Sequence, residues 1–143
     1  MKMLVTNDGS AASRAVLEPA GRLARAASAE IVLLRVLRPP LDLVAHPDEQ
    51  FRESSLKTME EDWKAELEEL GRGLECPVQV EVRRLGERWN VVDEILAAVA
   101  DHDADIICMA SHGEGALRHF VVGSTALDVL AKSACPVLLV RSR

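Results

Sequence analysis

Five short apolar runs alternate along this chain with amphipathic helical stretches, and that rhythm restricts the fold more than any other feature. The runs are Met3-Leu4-Val5, Ile31 to Leu37, Pro77 to Leu85, Ile106 to Ala110, and Pro136 to Val140. In the third, Val78, Val80 and Val82 alternate cleanly with polar residues, as a half-buried strand requires. Four helical patterns lie between the runs. The first, over residues 11–27, sets Ala12, Ala15, Val16, Leu23 and Ala26 on one side, with Ser10 as its N-cap and Pro19 as an expected kink. The second, over residues 51–72, brings Leu56, Met59, Trp63, Leu67 and Leu70 to one stripe and leaves Glu60, Glu61, Glu66, Glu68 and Glu69 as a solvated face. Asn90 caps a third, carrying Val91, Val92, Ile95, Leu96 and Val99, and a fourth runs from about Ser124 to Ser133. Such alternation specifies parallel strands joined by crossover helices. The expected fold is one doubly wound α/β domain over residues 1–143, a five-stranded parallel sheet in the order 3-2-1-4-5 with helices on both faces.

Composition removes several functional classes. A net charge of −6 argues against a nucleic-acid binder, because phosphate contacts need clustered Lys and Arg. Aromatic residues at 3% leave little for base stacking. No apolar run approaches the roughly 18 residues of a membrane span, and the opening Met3-Leu4-Val5 is too short for a signal peptide. Cys76, Cys108 and Cys135 form no C-x-x-C pair and no metal-ligand spacing, which fits small buried apolar residues in a reducing cytoplasm. Prolines 39, 40 and 47 make residues 38–50 an irregular loop and a candidate lid.

Chemistry concentrates between Asp105 and Thr125, read as DIICMASHGEGALRHFVVGST. An apolar strand empties into a loop holding Gly113 and Gly115, and Gly123-Ser124-Thr125 then opens a helix. Bare loop N–H groups and a helix dipole both favour an anion at such a place. In doubly wound sheets ligands sit beyond the carboxyl ends of the strands, where the winding reverses. Asn7-Asp8-Gly9-Ser10, after the first strand, belongs at the same crevice. Asp8 reads either as a carboxylate for a ribose or a phosphate-bound metal, or as an Asx turn closing the first helix. Ser124 reads as a hydroxyl donor to an anion or as a plain cap. His112 lacks an acid or nucleophile at fitting spacing and reads as a loop residue, while Arg118 and His119 either reach terminal phosphates or face solvent.

The segments VTNDGS, ASHGEGALRHFVVGS and CPVLLVR together resemble the universal stress protein family across essentially the whole chain. Nucleotide-binding members carry G-x2-G-x9-G-[ST]. Here Gly113, Gly123 and Ser124 match its second glycine, third glycine and hydroxyl, and Ala110 stands at the first glycine with one added methyl group. The resemblance implies an adenine-nucleotide ligand, ATP, ADP or AMP, with Mg2+ as a companion ion that Asp8 would help hold. It implies a ligand-binding set of Asp8, Val36, Met109, Ala110, Gly113, Gly123, Ser124 and Thr125, with the Val36 backbone against the adenine. Glu114 places a carboxylate beside the phosphates, which weighs against ATP relative to AMP. The resemblance also implies a homodimer through the terminal strand, residues 136–141, and a regulatory role in stress with no catalytic residue assigned. Two alternatives stay open: a nucleotide-free dimeric interaction module with an eroded pocket, and slow ATP hydrolysis. A phosphorelay receiver is excluded by Val82-Arg83-Arg84-Leu85 where an acidic residue is required, and flavodoxin by the lack of a hydroxyl-rich loop after the first strand.

Overall fold

The computed structural model describes residues 1–112 and 122–141. Its elements in order are β1 (Lys2–Thr6), α1 (Ala11–Arg14), α2 (Leu17–Ala26), β2 (Glu30–Leu37), α3 (Leu41–Val44), α4 (Glu49–Arg72), β3 (Val78–Arg84), α5 (Val91–His102), β4 (Ile106–Ala110), α6 (Ser124–Lys132) and β5 (Val137–Val140). The strands form one parallel sheet in the order β3-β2-β1-β4-β5, as the sequence leads one to expect.

Side chains of a strand alternate between faces, so a sheet covered on both sides needs apolar residues at successive positions. Met3, Val5, Ile31, Leu33 and Cys108 point to one face, where Val16, Leu17, Ala20 and Ala24 of the first helical segment and Leu67 of α4 cover them. Leu4, Val32, Leu34, Ile107 and Met109 point to the other, beneath Val92, Ile95 and Ala98 of α5 and Ala126 and Val129 of α6. Cys108 is fully buried, and desolvation pushes its thiol up to about 11.

Three local expectations change. The first helix is two pieces, broken at Ala15 and Val16. Pro19 has no N–H for the carbonyl of Ala15, so the chain restarts with Pro19 inside the first turn of α2, where the missing donor costs little. The restart rephases the buried face: Val16, Leu17, Ala20, Gly21 and Ala24 are buried, while Ala15 and Ala26 are exposed. Residues 38–50 are an elbow rather than an irregular loop. They contain α3, and α4 begins at Glu49 with Asp48 accepting from the Phe51 amide at 3.2 Å. Arg52 donates to the His46 carbonyl, and the His46 and Phe51 rings lie 4.4 Å apart, tying the elbow to α4.

The predicted α4 stripe is correct in direction but shallow. Only Leu67 and Gly71 are fully buried, with Met59, Trp63 and Leu70 half-buried. The helix comes so close to β3 that a β-carbon on Gly71 would stand 3.0 Å from Val78 Cγ1. Part of the acidic face is also engaged, since Arg84 at the end of β3 binds Glu53 at 2.9 Å through both guanidinium nitrogens and reaches Glu60 as well. The two outer strands differ sharply. β3 carries Glu81, Arg83 and Arg84, with Glu81 2.6 Å from His102 and Arg83 2.8 Å from Asp101. β5 reads VLLV and carries no charge.

Candidate functional site

β1 and β4 are neighbouring parallel strands, so the loop after each opens at the same edge of the sheet. This is where the winding reverses, because α1 and α2 cover one face and α5 and α6 the other. The loop after β1 is closed by its own side chains. Asn7 Oδ1 accepts from the Gly9 amide at 3.1 Å, and Asp8 Oδ1 accepts from the Ser10 amide at 2.9 Å. Gly9 has φ of +87°, a backbone conformation that a β-carbon resists. Ser10 then caps α1 through the Ser13 amide at 3.1 Å. The Asx turn at Asp8 is therefore present, on a side chain that remains solvent-exposed.

Val36 lies half-buried near the end of β2. The last β1–β2 pair is Thr6 with Leu34, and the Leu34 carbonyl accepts from Asn7 N at 2.8 Å. Parallel ladders turn alternate residues to alternate neighbours, so the N–H and C=O of Val36 face the same side as those of Leu34, past the last paired residue of β1. β2 itself continues to Leu37, paired only with β3. A planar group seeking one donor and one acceptor finds both along that stretch of backbone.

On the β4 side, Met109 is 5% exposed and belongs to the core beneath α5 and α6, while Ala110 packs against the opposite core. Gly123 is the N-cap of α6, and its amide donates to the Ser111 carbonyl at 2.6 Å, which fixes the start of α6 against the end of β4. A β-carbon there would touch Ser111 O and His112 Cα at 3.4 Å. Among the described residues no side chain caps α6, in contrast to α1, α4 and α5, which use Ser10, Asp48 and Asn90. The first-turn amides at Ser124, Thr125 and Ala126 have no acceptor within the helix and lie at the positive end of its dipole. Ser124 and Thr125 are exposed at that turn. Gly113 lies outside the described residues, as do Glu114, Gly115, Arg118 and His119. His112 Nδ1 meets Ser111 Oγ at 2.8 Å, but Ser111 is 1% exposed, so this pair offers no accessible nucleophile.

A polar cluster under the β1 loop is the part that sequence reasoning missed. Arg35 is 3% exposed within the apolar run from Ile31 to Leu37 of β2. Its Nε donates to the Asn7 carbonyl at 3.1 Å, and its Nη2 donates to Asn7 Oδ1. Nη1 reaches Glu66 Oε2 at 2.9 Å, and the guanidinium carbon sits 5.3 Å from the centre of the Trp63 ring. Glu66 also receives Arg14 at 3.2 Å. It is accordingly not a plain solvated residue. The available signal was a single arginine in IVLLRVL, a charge where every neighbour is apolar. Asn7 Nδ2 is buried and has no partner among the described residues, so the loop holds one donor in reserve.

Hydrogen bonding from Arg35 holds the Glu66 carboxyl below its ordinary value, against a smaller opposing effect of burial. Burial acts to raise Glu81, and the hydrogen bonds from His102 and Arg83 together outweigh it, so that carboxyl is lowered too. A carboxylate depressed by folding stabilises the protein above its unfolded value, near 4.5, and loses that contribution as pH falls through the folded value. Urea midpoints are expected to drop below that pH, and Glu66→Gln is expected to make the drop shallower. Equal slopes for the two proteins would show that Glu66 takes no part.

For a magnesium ion, the loop supplies one carboxylate, Asp8. No three His, Cys, Asp or Glu side chains gather to hold a metal among the described residues. Any Mg2+ here would complete its octahedron with phosphate oxygens and water, as Mg2+ at nucleotides generally does. Likewise, no described helix is long and apolar enough to cross a membrane.

The fold defines a doubly wound α/β protein with a crevice at the carboxyl edge of its sheet, between the ends of β1 and β4. The chain belongs to the universal stress protein family, whose model it matches over residues 1–141. It is 29% identical to universal stress protein YxiE of Bacillus subtilis, with 98% of each chain covered. The structure of MJ0577, a universal stress protein of Methanocaldococcus jannaschii, superposes with a TM-score of 0.83 at 24% identity, covering 99% of this chain and 96% of the other. A universal stress protein from Archaeoglobus fulgidus in complex with dAMP superposes with a TM-score of 0.63 at 21% identity, covering 97% and 96%.

Proposed function

We propose that this protein is an adenine-nucleotide-binding regulator of the cytoplasm, acting as a homodimer. The observation that carries the reading is the convergence of three features at one sheet edge: the Val36 backbone beyond the end of β1, the Asn7–Ser10 loop, and the start of α6, whose N-cap Gly123 has no side chain to close it. The adenine would lie along Val36, Asp8 would meet the sugar, and the phosphates would lie at Gly123, Ser124 and Thr125, with Met109 and Ala110 as the floor and Gly113 closing from the loop. The Archaeoglobus relative with dAMP supports the ligand class. Packing of the Ala110 methyl against the core favours a working pocket over an eroded one. The three cysteines are free thiols, which suits a reducing compartment.

The dimer reading rests on the contrast between the outer strands. An apolar, uncharged edge such as β5 invites pairing, whereas the charges on β3 discourage it. Isothermal titration with AMP, ADP and ATP, each with and without Mg2+, tests the ligand. Saturable binding of at least one nucleotide is expected. Absence of heat at millimolar ligand leaves the interaction module as the function.

A further inference from the structure

Arg35 has no part in the ligand set, yet it is the most deeply buried charge among the described residues and it points at the loop that begins the site. Three of its four hydrogen-bonding contacts to neighbours matter for position. Nε and Nη2 grip the backbone carbonyl and side-chain oxygen of Asn7, and Nη1 reaches across to Glu66 on α4 at 2.9 Å. A β-carbon on Gly9 would meet the guanidinium in ordinary contact at 3.7 Å, so the glycine serves the positive φ of the loop and not the space around Arg35. Glu66 in turn accepts from Arg14, the last residue of α1, at 3.2 Å. The loop from Asn7 to Ser10 is therefore held at its start through Arg35, and the helix after it through Arg14, by one carboxylate of α4. We infer that Arg35 and Glu66 form a staple that sets the position of the Asn7–Ser10 loop, making Arg35 a positioning residue for the nucleotide site and coupling that site to α4.

A planar guanidinium is required for this because it serves two acceptors on one residue and a carboxylate on the opposite side at once, which an ammonium cannot reproduce. The Trp63 ring beside it fixes the plane. The inference rests on the proposed nucleotide reading for its consequence, and its geometry can be tested without any ligand. Amide hydrogen exchange in the full chain would compare wild type with Arg35→Met, Arg35→Lys and Glu66→Gln, each well below its unfolding midpoint. In Arg35→Met the Asn7, Gly9 and Ser10 amides are expected to exchange about tenfold faster while Leu4 and Val5 stay unchanged, the pattern of a local opening. AMP affinity is expected to fall about tenfold, since displacing a contact loop by a fraction of an ångström has effects of that size. Arg35→Lys recovers part of both, and Glu66→Gln falls between lysine and wild type.

Unchanged loop exchange in a folded Arg35→Met protein overturns the staple, as does loosening of Leu4 and Val5 to the same degree. If Arg35→Met does not fold, the lysine and glutamine variants decide the matter by the same amides. Wild-type protein that binds none of AMP, ADP and ATP sinks the nucleotide reading, whereas exchange still judges the staple.

Discussion

Leu67→Ala is expected to lower the unfolding free energy by about 3 kcal/mol in urea titration, the usual cost of emptying a fully buried leucine site. The effect is large because α4 has so little else. Its 24 residues bury only Leu67 and Gly71 completely, and Leu67 is the residue that joins the helix to Met3, Val5, Ile31 and Leu33 of the sheet. The neighbouring Glu66 is the acceptor for Arg35, so loosening the helix here should also speed exchange in the Asn7–Ser10 loop. A change under 1 kcal/mol would mean that the ion pairs from Arg84 and Arg35, and not the leucine, dock α4.

If the chain pairs through β5 as proposed, Leu139→Pro is expected to turn that dimer into a monomer without unfolding it. At the two ends of β5, the carbonyls of Pro136 and Val140 accept from Ile107 of β4 and from Ser111 just after it, so alternation sends the N–H of Val137 and Leu139 to the side away from β4. Proline at 139 therefore removes an outward donor and leaves the inward ladder whole, the one place in a sheet where proline is tolerated. In a two-fold symmetric interface each loss is counted twice, and at about 1 kcal/mol per hydrogen bond plus the clash of the ring the dimer constant should weaken about 100-fold. Sedimentation velocity reads this directly, with circular dichroism as the control for folding. A variant that stays dimeric would place the interface elsewhere.

The strands were legible because burial on two faces forces consecutive apolar residues, as in Ile31 to Leu34 and Ile107 to Met109, and no turn or surface segment needs that pattern. Caps at Ser10 and Asn90 were legible for the same local reason, a short polar side chain ahead of an apolar stripe. The break before Pro19 was visible as a disturbance, but not its position, which depends on where the helix restarts to bury Leu17 and Ala20. Residues 41–44 form a turn of helix that buries none of its residues, so no apolar pattern announces it. In the candidate site, Gly123 and Ser124 were legible as the start of α6. The site's support was not, since Arg35, Glu66 and Arg14 come from three elements and meet only once the sheet is assembled.

The buried thiol on β4 gives the molecule a clock of its own. Cys108 is fully buried on the α2 and α4 face of the central sheet, and burial pushes its thiol up to about 11, so thiol reagents find little thiolate there under neutral conditions. Cys76 and Cys135 are partly exposed and will label first. Any third modification then counts openings of the core itself, which makes the pace of that last event a direct record of how often the native protein comes apart.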